Sequence, residues 1–553
     1  MLAPARERDR TVSKRGMRSQ TQPLPVPWKG WNTEQPLTAM EPEFAPVLRN
    51  WWPEPDGIRP RGGYVEQASG LGGPVASLMS YVSGLTKRLF AASGANIFDV
   101  TAPGPVGAAA WSTATADRWQ SLNVATSGGQ FLMAVNGADH PINFNGIAWS
   151  ASPAITGVAG GANSIVNLFL SQKRVFLIKK DSADIYYLSP ASIGGAASLL
   201  PLGQELKKGG AIIAGGTWSS DSGAGMDDRT VFISSEGEVL IFGGTDPSST
   251  TTWALEGRYE IGRPLGYRCA VNFGGDLAIL TQDGLMSLAA VRQLDRTAAQ
   301  QGALTRNIRQ AFASAVRSDV DTFGWQTIGF SRGQMVIVNV PNLASGETRQ
   351  FVMNTLSSAW AEYTEWEALC WVEHDNRVYF GTAEGVVNEA ERGSIDGISL
   401  IQCFAVGAFN SLAQPDAYKT ALELKIFYEG GAGARIYTAI GVDYDLDPVF
   451  EEYNAQFLTG YYFTWDLSAW DASFWVGGET TGSSQVLVWN VGNWNETFWA
   501  GGERRNTVAQ SVFGSGYALA VGFRTVVADG SPAREPGLKL QRFDLTYEVG
   551  SAL

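Results

Sequence analysis

The segment "TVFISSEGEVLIFGG", from Thr230 to Gly244, decides the fold of this chain. Two apolar runs are separated by the polar, glycine-containing turn Ser-Ser-Glu-Gly. Short runs rich in Val, Ile and Phe that are bounded by such turn residues are typical of β-strands. The segment therefore predicts a hairpin of two short antiparallel strands.

The same pattern occurs six more times. The other predicted hairpins begin at Arg88, Gln130, Arg174, Asp276, Gln334 and Arg377, and the one at Gln334 finds its second strand from Arg349. The seven starts are 42 to 58 residues apart. Propeller blades take about 40–50 residues each, whereas a β-sandwich has no reason to repeat a hairpin at this interval. We therefore predict an all-β protein with a six- or seven-bladed β-propeller. We expect its core to include the residues Phe90, Phe131, Val175, Phe176, Phe232, Leu277, Ile279, Val336 and Tyr379.

One helix and a second β domain complete the predicted organisation. In "LTRNIRQAFASAV" Thr305 can cap a helix near 305–316, with apolar residues on one face from Ile308 to Val316. After about Gln402 the repeat stops, and four longer segments with alternating faces follow. The predicted domains are an arm over 1–27, a propeller over 28–405 and a β platform over 406–553.

Composition excludes several classes of function. The 553 residues contain two histidines, His140 and His374, which argues against a histidine-built metal site and most triad chemistry. The three scattered cysteines indicate free thiols made in a reducing cytoplasm. No apolar run is long enough to span a membrane. The net charge of −13 disfavours a sequence-specific nucleic-acid binder, since such proteins neutralise phosphates with Lys and Arg.

The first residues are locally basic, with charges at Arg6, Arg8, Arg10, Lys14, Arg15 and Arg18. Polar residues lie between these charges, and apolar residues do not recur at the spacing of a helix or a strand. This composition predicts either a solvated disordered arm or an arm that docks on a partner.

Two groups of carboxylates were considered as sites. "SSDSG" from Ser219 resembles the Asp box of sialidases, but its Thr-Trp end is missing and it occurs once. Its Asp221 also begins the cluster "DSGAGMDD" with Asp227 and Asp228. Asp443, Asp445 and Asp447 begin like a calcium loop that then departs from the pattern. Both groups are interpreted as turn caps or solvated loops, with a structural cation as the alternative. We predict no catalytic residue, cofactor or metal ligand.

Near the C-terminus two tryptophan ladders, "TWDLSAWDASFWVGG" from Thr464 and "VWNVGNWNETFWAGG" from Val488, have a period of five. That period is neither helical nor that of a strand. The alternatives are a local aromatic core, an assembly interface, and a surface for sugar stacking. The candidate interface residues are Trp465, Trp470, Trp475, Trp489, Trp494 and Trp499.

The N-terminal stretch "WKGWNTEQPLTAMEPEFAPVLRNWWPEPDGIRPRGGY" (Trp28 to Tyr64) resembles the opening of a family of short-tailed phage proteins. These are the tail hub or nozzle proteins, also called packaged-DNA stabilisation proteins. The blocks Asp117 to Gly146 and Thr217 to Leu285, "GSGYALAVGF" and the ending "YEVG" are similar to the family as well. The basic arm and the regular ladders depart from it.

The resemblance implies a homo-oligomeric ring, expected to be a hexamer, in the virion tail. Its expected partners are the portal adaptor or head-to-tail connector, tail fibre or needle proteins, and genomic dsDNA that passes the lumen without sequence recognition. The expected function is structural: retention of packaged DNA and its conduction during ejection. A tail-associated propeller glycan hydrolase and a host-glycan-binding adhesin remain the alternatives.

Overall fold

The computed structural model describes residues 19–221, 226–249, 251–293, 300–341, 348–430, 434–450, 456–457, 505–527 and 537–550. Nearly all regular structure in these ranges is β-strand, arranged as a propeller with a second β domain. The predicted fold class is therefore confirmed.

Seven strands precede the first blade. They are β1 Gln20–Pro25, β2 Gly30–Trp31, β3 Phe44–Ala45, β4 Val47–Arg49, β5 Trp51–Glu54, β6 Gly57–Pro60 and β7 Tyr64–Ser69.

Blades one to three follow, each with a first strand nearest the propeller axis. Blade one consists of β8 Ser77–Ser83, β9 Thr86–Ser93 and β10 Asn96–Asp99, after which β11 Gly104–Pro105 pairs with β7. Blade two consists of β12 Gln120–Thr126, β13 Gly129–Val135, β14 Ile142–Phe144 and β15 Trp149–Ala151. The next strands are β16 Ile155–Thr156, β17 Ile165–Ser171, β18 Arg174–Lys179, β19 Asp184–Tyr187, β20 Gly195–Ala196 and β21 Ser198–Pro201. Of these, β16 and β20 form a small parallel pair and the other four form blade three.

Blades four to seven complete the ring. Blade four consists of β22 Ile212–Asp221, β23 Met226–Ser234, β24 Glu238–Gly243 and β25 Ala254–Glu260. Blade five consists of β26 Ala270–Phe273, β27 Asp276–Thr281 and β28 Gly284–Ser287, and helix α1 Leu288–Gln293 follows it. After helix α2 Arg309–Asp319, blade six consists of β29 Gln326–Phe330, β30 Met335–Val340, β31 Arg349–Asn354 and β32 Trp360–Tyr363. Blade seven consists of β33 Cys370–His374, β34 Arg377–Gly381 and β35 Val387–Ala390, with β7 as its fourth strand.

The ring is closed by a strand from before the first blade. The first strands of neighbouring blades contact each other in chain order, and β33 of blade seven contacts β8 of blade one. Strand β7 pairs antiparallel with β35, with Tyr64 opposite Ala390. The described residues thus form seven blades, within the predicted six or seven.

The predicted hairpins correspond to the second and third strands of the blades, as in β23 and β24 for the segment at Thr230. Eight of the nine predicted core residues are buried, among them Phe232 with no exposed surface. The exception is Phe131, which is half-buried. Along β13 its neighbours Leu132 and Met133 are the buried residues instead.

The predicted helix begins later than expected. Residues Arg306–Ile308 form a 3-10 turn, and α2 follows over Arg309–Asp319. Its apolar face packs inward as predicted, with Phe312 against Trp325 and Phe351. Thr305 is not the side-chain cap that the sequence predicted. Its hydroxyl instead accepts a hydrogen bond from the amide of Leu285 at 3.1 Å.

The second β domain, called the platform below, contains two packed sheets. After the hairpin of β36 Ile395–Asp396 and β37 Ser399–Leu400, its strands are β38 Gln402–Val406, β39 Lys419–Gly430, β40 Ala434–Val442, β41 Gln456–Phe457, β42 Arg505–Gly516, β43 Leu519–Val527 and β44 Leu538–Val549. One sheet has the order β42-β39-β44-β6-β5, with β1 paired to β44. The other has the order β4-β38-β43-β40-β41 and is joined through β4 to β32, so blade six and the platform share one continuous sheet. Phe523 packs on Trp51 and Phe543 of the opposite sheet, at 5.3 and 5.2 Å between ring centroids.

The structure corrects the predicted N-terminal boundary. The predicted arm over 1–27 includes Gln20–Pro25, which form β1 and pair with β44 from Gln20 opposite Tyr547 to Pro25 opposite Arg542. Residues 47–60, predicted to be part of the propeller, supply β4, β5 and β6 to the platform sheets. The reason is that the alternating strands of the platform need partners that lie several hundred residues away in sequence, which local periodicity does not reveal.

A buried ion pair fastens the N-terminal segment to the far end of the propeller. The guanidinium of Arg61 has no exposed surface and donates to both oxygens of Asp396, at 2.8 and 2.5 Å. Its Nε donates to Asn50 at 2.9 Å, and the group lies 4.9 Å from the ring centroid of Trp366. This contact joins the strand exit at Arg61 to the β36–β37 hairpin.

The three cysteines are buried and unpaired, which confirms the expected free thiols. Burial raises the pKa of Cys269 to about 12 and that of Cys370 to about 11. Both groups are therefore protonated thiols at neutral pH. Within the described residues no helix is long and apolar enough to cross a membrane.

Candidate functional site

The tryptophan ladders lie outside the described residues. All six candidate interface residues, Trp465, Trp470, Trp475, Trp489, Trp494 and Trp499, belong to the stretch between β41 and β42. The choice between an aromatic core, an interface and a sugar-stacking surface therefore stays a prediction.

The carboxylate groups form hydrogen bonds that organise turns. Asp443 accepts from the amides of Tyr517 and Ala518 at 2.8 and 3.0 Å, and Asp445 accepts from the amide of Asp447 at 3.1 Å. In the other group Asp228 accepts from the hydroxyl of Ser219 at 2.6 Å, while the side chains of Asp221 and Asp227 lie outside the described part. Across the described ranges, no group of three His, Cys, Asp or Glu side chains is placed to hold a metal ion.

The structure brings one histidine next to a hydroxyl. Ser80 Oγ and His374 Nδ1 lie 2.8 Å apart, on the neighbouring strands β8 and β33. Burial lowers the pKa of His374, and the nearby Asp375 carboxylate partly offsets this effect. That carboxylate accepts from Lys87, so it does not orient the imidazole as the acid of a triad would. The pair is a strand-to-strand contact rather than a complete catalytic constellation.

A group of exposed apolar side chains lies at one end of the platform. We call Tyr418, Leu422, Phe513 and Tyr517 the platform patch; their exposed fractions are 43%, 36%, 74% and 53%. The rings of Tyr418 and Tyr517 meet edge to face at 5.4 Å, and the Tyr418 hydroxyl donates to the carbonyl of Ser515 at 3.0 Å. Leu422 lies in a bulge of β39 where that strand pairs with β42 beside Phe513. The two pairs of apolar side chains flank the hydrogen-bonded Thr420 and Ser515, and exposed apolar groups clustered in this way mark interaction sites on folded proteins.

Polar contacts beneath the platform patch hold it in place. Lys419 is fully buried, and its ammonium donates to the carbonyls of Ala417 and Tyr517 at 2.8 and 2.7 Å. Burial lowers the pKa of Lys419, with the Asp443 carboxylate opposing that effect. Because Asp443 also accepts the Tyr517 amide, the loop that carries Tyr517 is fixed from two sides. A surface fixed in this way loses little entropy when a partner covers it.

A second feature is a cavity on the propeller axis, about 270 Å³ in volume. Its walls are residues at or near the start of the first strands of all seven blades. Amide and hydroxyl side chains dominate its polar lining, namely Gln120, Ser121, Asn167, Gln326 and Thr327. One lining residue, Arg268, carries a charge, and none is acidic. We call this space the axial cavity.

Arg268 is held in the axial cavity by neutral groups. Its Nη2 donates to Ser77 at 2.7 Å and to the carbonyls of Trp119 and Ala76 at 3.0 and 3.2 Å. Its Nε and Nη1 make longer contacts, 3.4 and 3.5 Å, to the amide oxygens of Gln120 and Gln326. Burial lowers the pKa of Arg268, and the neighbouring Arg118 lowers it further. An arginine nevertheless stays protonated at neutral pH, so the cavity has a net positive charge.

Neither feature was identified from sequence. The lining residues Gln120, Asn167 and Gln326 belong to first strands, which precede the hairpins that the apolar pattern revealed. A polar amide that recurs seven to ten residues before three of the predicted hairpins is the signal that could have located the axial cavity. The platform patch had no comparable signal, because Phe513 and Leu422 read as ordinary strand residues.

A scan against protein-family models finds no match for the chain. A search of curated proteins finds no related sequence.

Solved structures give weak matches. The N-terminal part of BBS1 in its complex with ARL6 is 10% identical, with a TM-score of 0.36 over 60% of this chain and 97% of that chain. Raptor from Chaetomium thermophilum is 11% identical, with a TM-score of 0.34 over 60% and 29% of the two chains. A quinonprotein alcohol dehydrogenase-like protein from Bacteroides thetaiotaomicron is 9% identical, with a TM-score of 0.32 over 57% and 68%. Scores this low carry no argument about function, and the propeller rests on the strand order itself.

Proposed function

We propose that this chain is a structural, ring-forming protein of a short-tailed phage tail, a nozzle or hub that retains packaged DNA and conducts it during ejection. The observation that carries the proposal is the platform patch, a fixed apolar surface that a neighbouring copy of the chain would cover. The sequence resemblance from Trp28 onward implies that the chain forms a ring and that this ring belongs to the virion tail. The role requires no catalysis.

The size of the axial cavity requires the conduit to lie between protomers. Duplex DNA has a major groove about 12 Å wide, and the whole duplex is wider still. A cavity of about 270 Å³ that is crossed by Arg268 cannot admit it. A DNA channel can therefore exist only at the centre of a ring of several chains, for which a hexamer is the expected size.

The acidic charge fits a channel that lets DNA slide. A net charge of −13 per chain gives a ring an overall negative potential, which repels phosphates rather than binding them. Within this proposal the ring contacts a portal adaptor above and tail fibre or needle proteins below. The ladders from Trp465 to Trp499 are proposed to add to these contacts.

Ring formation is the first test. We expect purified protein to show six-fold rings with a central hole in negative-stain images. Replacing both Phe513 and Tyr517 by serine should shift the population to monomers, because it removes the two most exposed members of the platform patch. Thermal unfolding of the monomer should be unchanged, since exposed side chains contribute little to the fold.

The control is Leu85→Ser, which removes an even more exposed apolar side chain from a blade turn far from the platform in sequence. Rings that persist in the Phe513/Tyr517 variant would show that the platform patch is not the contact. A wild-type protein that stays monomeric at high concentration would favour the hydrolase or adhesin alternative.

Weak DNA binding is the second test. We expect the protein to bind duplex DNA weakly, with a shallow dependence of affinity on salt. Each phosphate that is firmly neutralised adds about −0.9 to the slope of log affinity against log salt concentration. A slope steeper than roughly −5 would therefore mean several tight phosphate contacts and would contradict a passive channel. The control is a shortened chain that begins at Ser19, which removes the basic residues and keeps β1.

A further inference from the structure

We propose that the axial cavity binds a small hydroxylated monocarboxylate, such as a sugar acid, through Arg268. This site is independent of the ring contact and of the DNA channel. It is a binding site for a free small molecule, built by the closure of the propeller.

The first argument is the unbalanced charge. No carboxylate of the described residues pairs with Arg268, and Asp117, which lies two residues from the Trp119 carbonyl that Arg268 contacts, accepts from the amide of Gly94 instead. Arg268 is partly exposed in the cavity, where a positive charge that is only partly hydrated favours a negatively charged partner. An anionic ligand would supply the missing partner.

The second argument is the free bonding capacity of the site. Two of the three nitrogens of Arg268 make only long contacts, so a carboxylate can engage this edge of the guanidinium with little disruption. Thr327 lines the same cavity and is 5% exposed, yet its hydroxyl has no hydrogen-bond partner among the described residues. Buried hydroxyls without a partner are rare, and because solvent does not reach this one, a rotation of the Thr327 side chain would turn it toward a ligand.

The third argument concerns the class of ligand. A single guanidinium in the cavity balances one negative charge, which favours a carboxylate over a phosphate. The amide of Gln120 suits a hydroxyl group, whereas the amides of Asn167 and Gln326 are already hydrogen-bonded to the backbone. Tyr267 adds a partly exposed aromatic side chain of the kind that stacks on sugar rings. A cavity of about 270 Å³ has room for one such molecule.

Positive charge also extends from the axial cavity to solvent. The guanidinium of the exposed Arg118 lies 4.0 Å from the ring centroid of Phe323, and that of Arg268 lies 5.9 Å from the same centroid. The two cations thus share one aromatic ring, with Arg118 on the solvent side. An anion approaching the cavity meets Arg118 before Arg268, which favours its entry.

The test is calorimetric titration of the full chain with D-glucuronate, in parallel with D-glucose and inorganic phosphate at constant ionic strength. We expect one glucuronate per chain and weaker binding of both other probes. Arg268→Gln should weaken glucuronate binding by about tenfold or more, since it removes a charged hydrogen-bond donor. Arg317→Gln, an exposed arginine on α2, is the matched control and should leave the affinity unchanged.

A second variant separates binding from folding, because Arg268 also connects Ser77 and Trp119. Thr327→Val removes a hydroxyl that has no partner in the protein, so the variant should fold normally and bind glucuronate about 2- to 10-fold more weakly. Equal binding of glucose, tighter binding of phosphate, or unchanged glucuronate affinity in both cavity variants would overturn the proposal.

Discussion

Replacing Arg61 by methionine is expected to lower the free energy of unfolding by about 3–5 kcal/mol, because it leaves a buried carboxylate without its partner. Asp396 is 4% exposed and receives two hydrogen bonds from Arg61. Methionine keeps only the aliphatic part of the side chain, so the loss also includes the hydrogen bonds from the guanidinium to Asn50 and to the carbonyls of Gly62 and Thr364. Urea unfolding followed by circular dichroism measures the effect.

Two further variants define the origin of this loss. Arg61→Met combined with Asp396→Leu removes both charges and should recover much of the stability, as buried pairs replaced by apolar groups often do. Arg309→Ala breaks the exposed pair with Glu34 and should cost no more than about 1 kcal/mol. If the single Arg61 variant loses as little as the Arg309 variant, the ion pair does not hold the N-terminal segment in place.

Phe232→Ala is the second change with a large expected effect, a loss of about 3–5 kcal/mol in the free energy of unfolding. The ring of Phe232 has no exposed surface and lies 5.7 Å, centroid to centroid, from each of Phe169, Phe176 and Phe242. Its removal leaves a cavity between blades three and four that the surrounding rings cannot fill without leaving their own positions.

The comparison for Phe232 is Leu85→Ala, which removes a fully exposed side chain and should change stability by no more than about 0.5 kcal/mol. Equilibrium unfolding in urea serves for both variants. A loss under roughly 1 kcal/mol for Phe232→Ala would show that this part of the two blades is not a tightly packed core.

The second and third strands of each blade could be predicted because they are covered on both faces. Strand β24, for example, has five consecutive buried residues, of which the last four, Val239 to Phe242, appear in sequence as one apolar run. The first strands could not be found in this way. Strand β12 has a single buried residue, Val124, because much of it faces the axial cavity and solvent. The predicted repeat length was therefore correct, but the strands that line the propeller axis could not be recognised from the sequence.

In the platform, the long strands could be predicted from the sequence but their short partner strands could not. Its four longest predicted segments became β39, β40, β43 and β44, because alternation along a half-buried strand is a local signal. The partners β1, β5 and β6 are short segments with turn residues and prolines. The pairing of β1 and β6 with β44, and of β5 with β6, depends on the closed fold. Arg268 and Thr327 likewise meet only when seven blades surround one axis.

The strand that closes the propeller also sets the order in which the protein can mature on the ribosome. Residues 64–69 emerge early but find their partner only after residues 387–390 have been synthesised, and β1 waits for residues 538–549. A nascent chain therefore carries unsatisfied strand edges for most of its synthesis, a state prone to aggregation. Because early strands need late strands as partners, only a chain that has been synthesised to its end can complete the fold. A prematurely terminated polypeptide lacks a finished platform, so under the proposed function a defective copy would be excluded from the ring without a separate quality-control step.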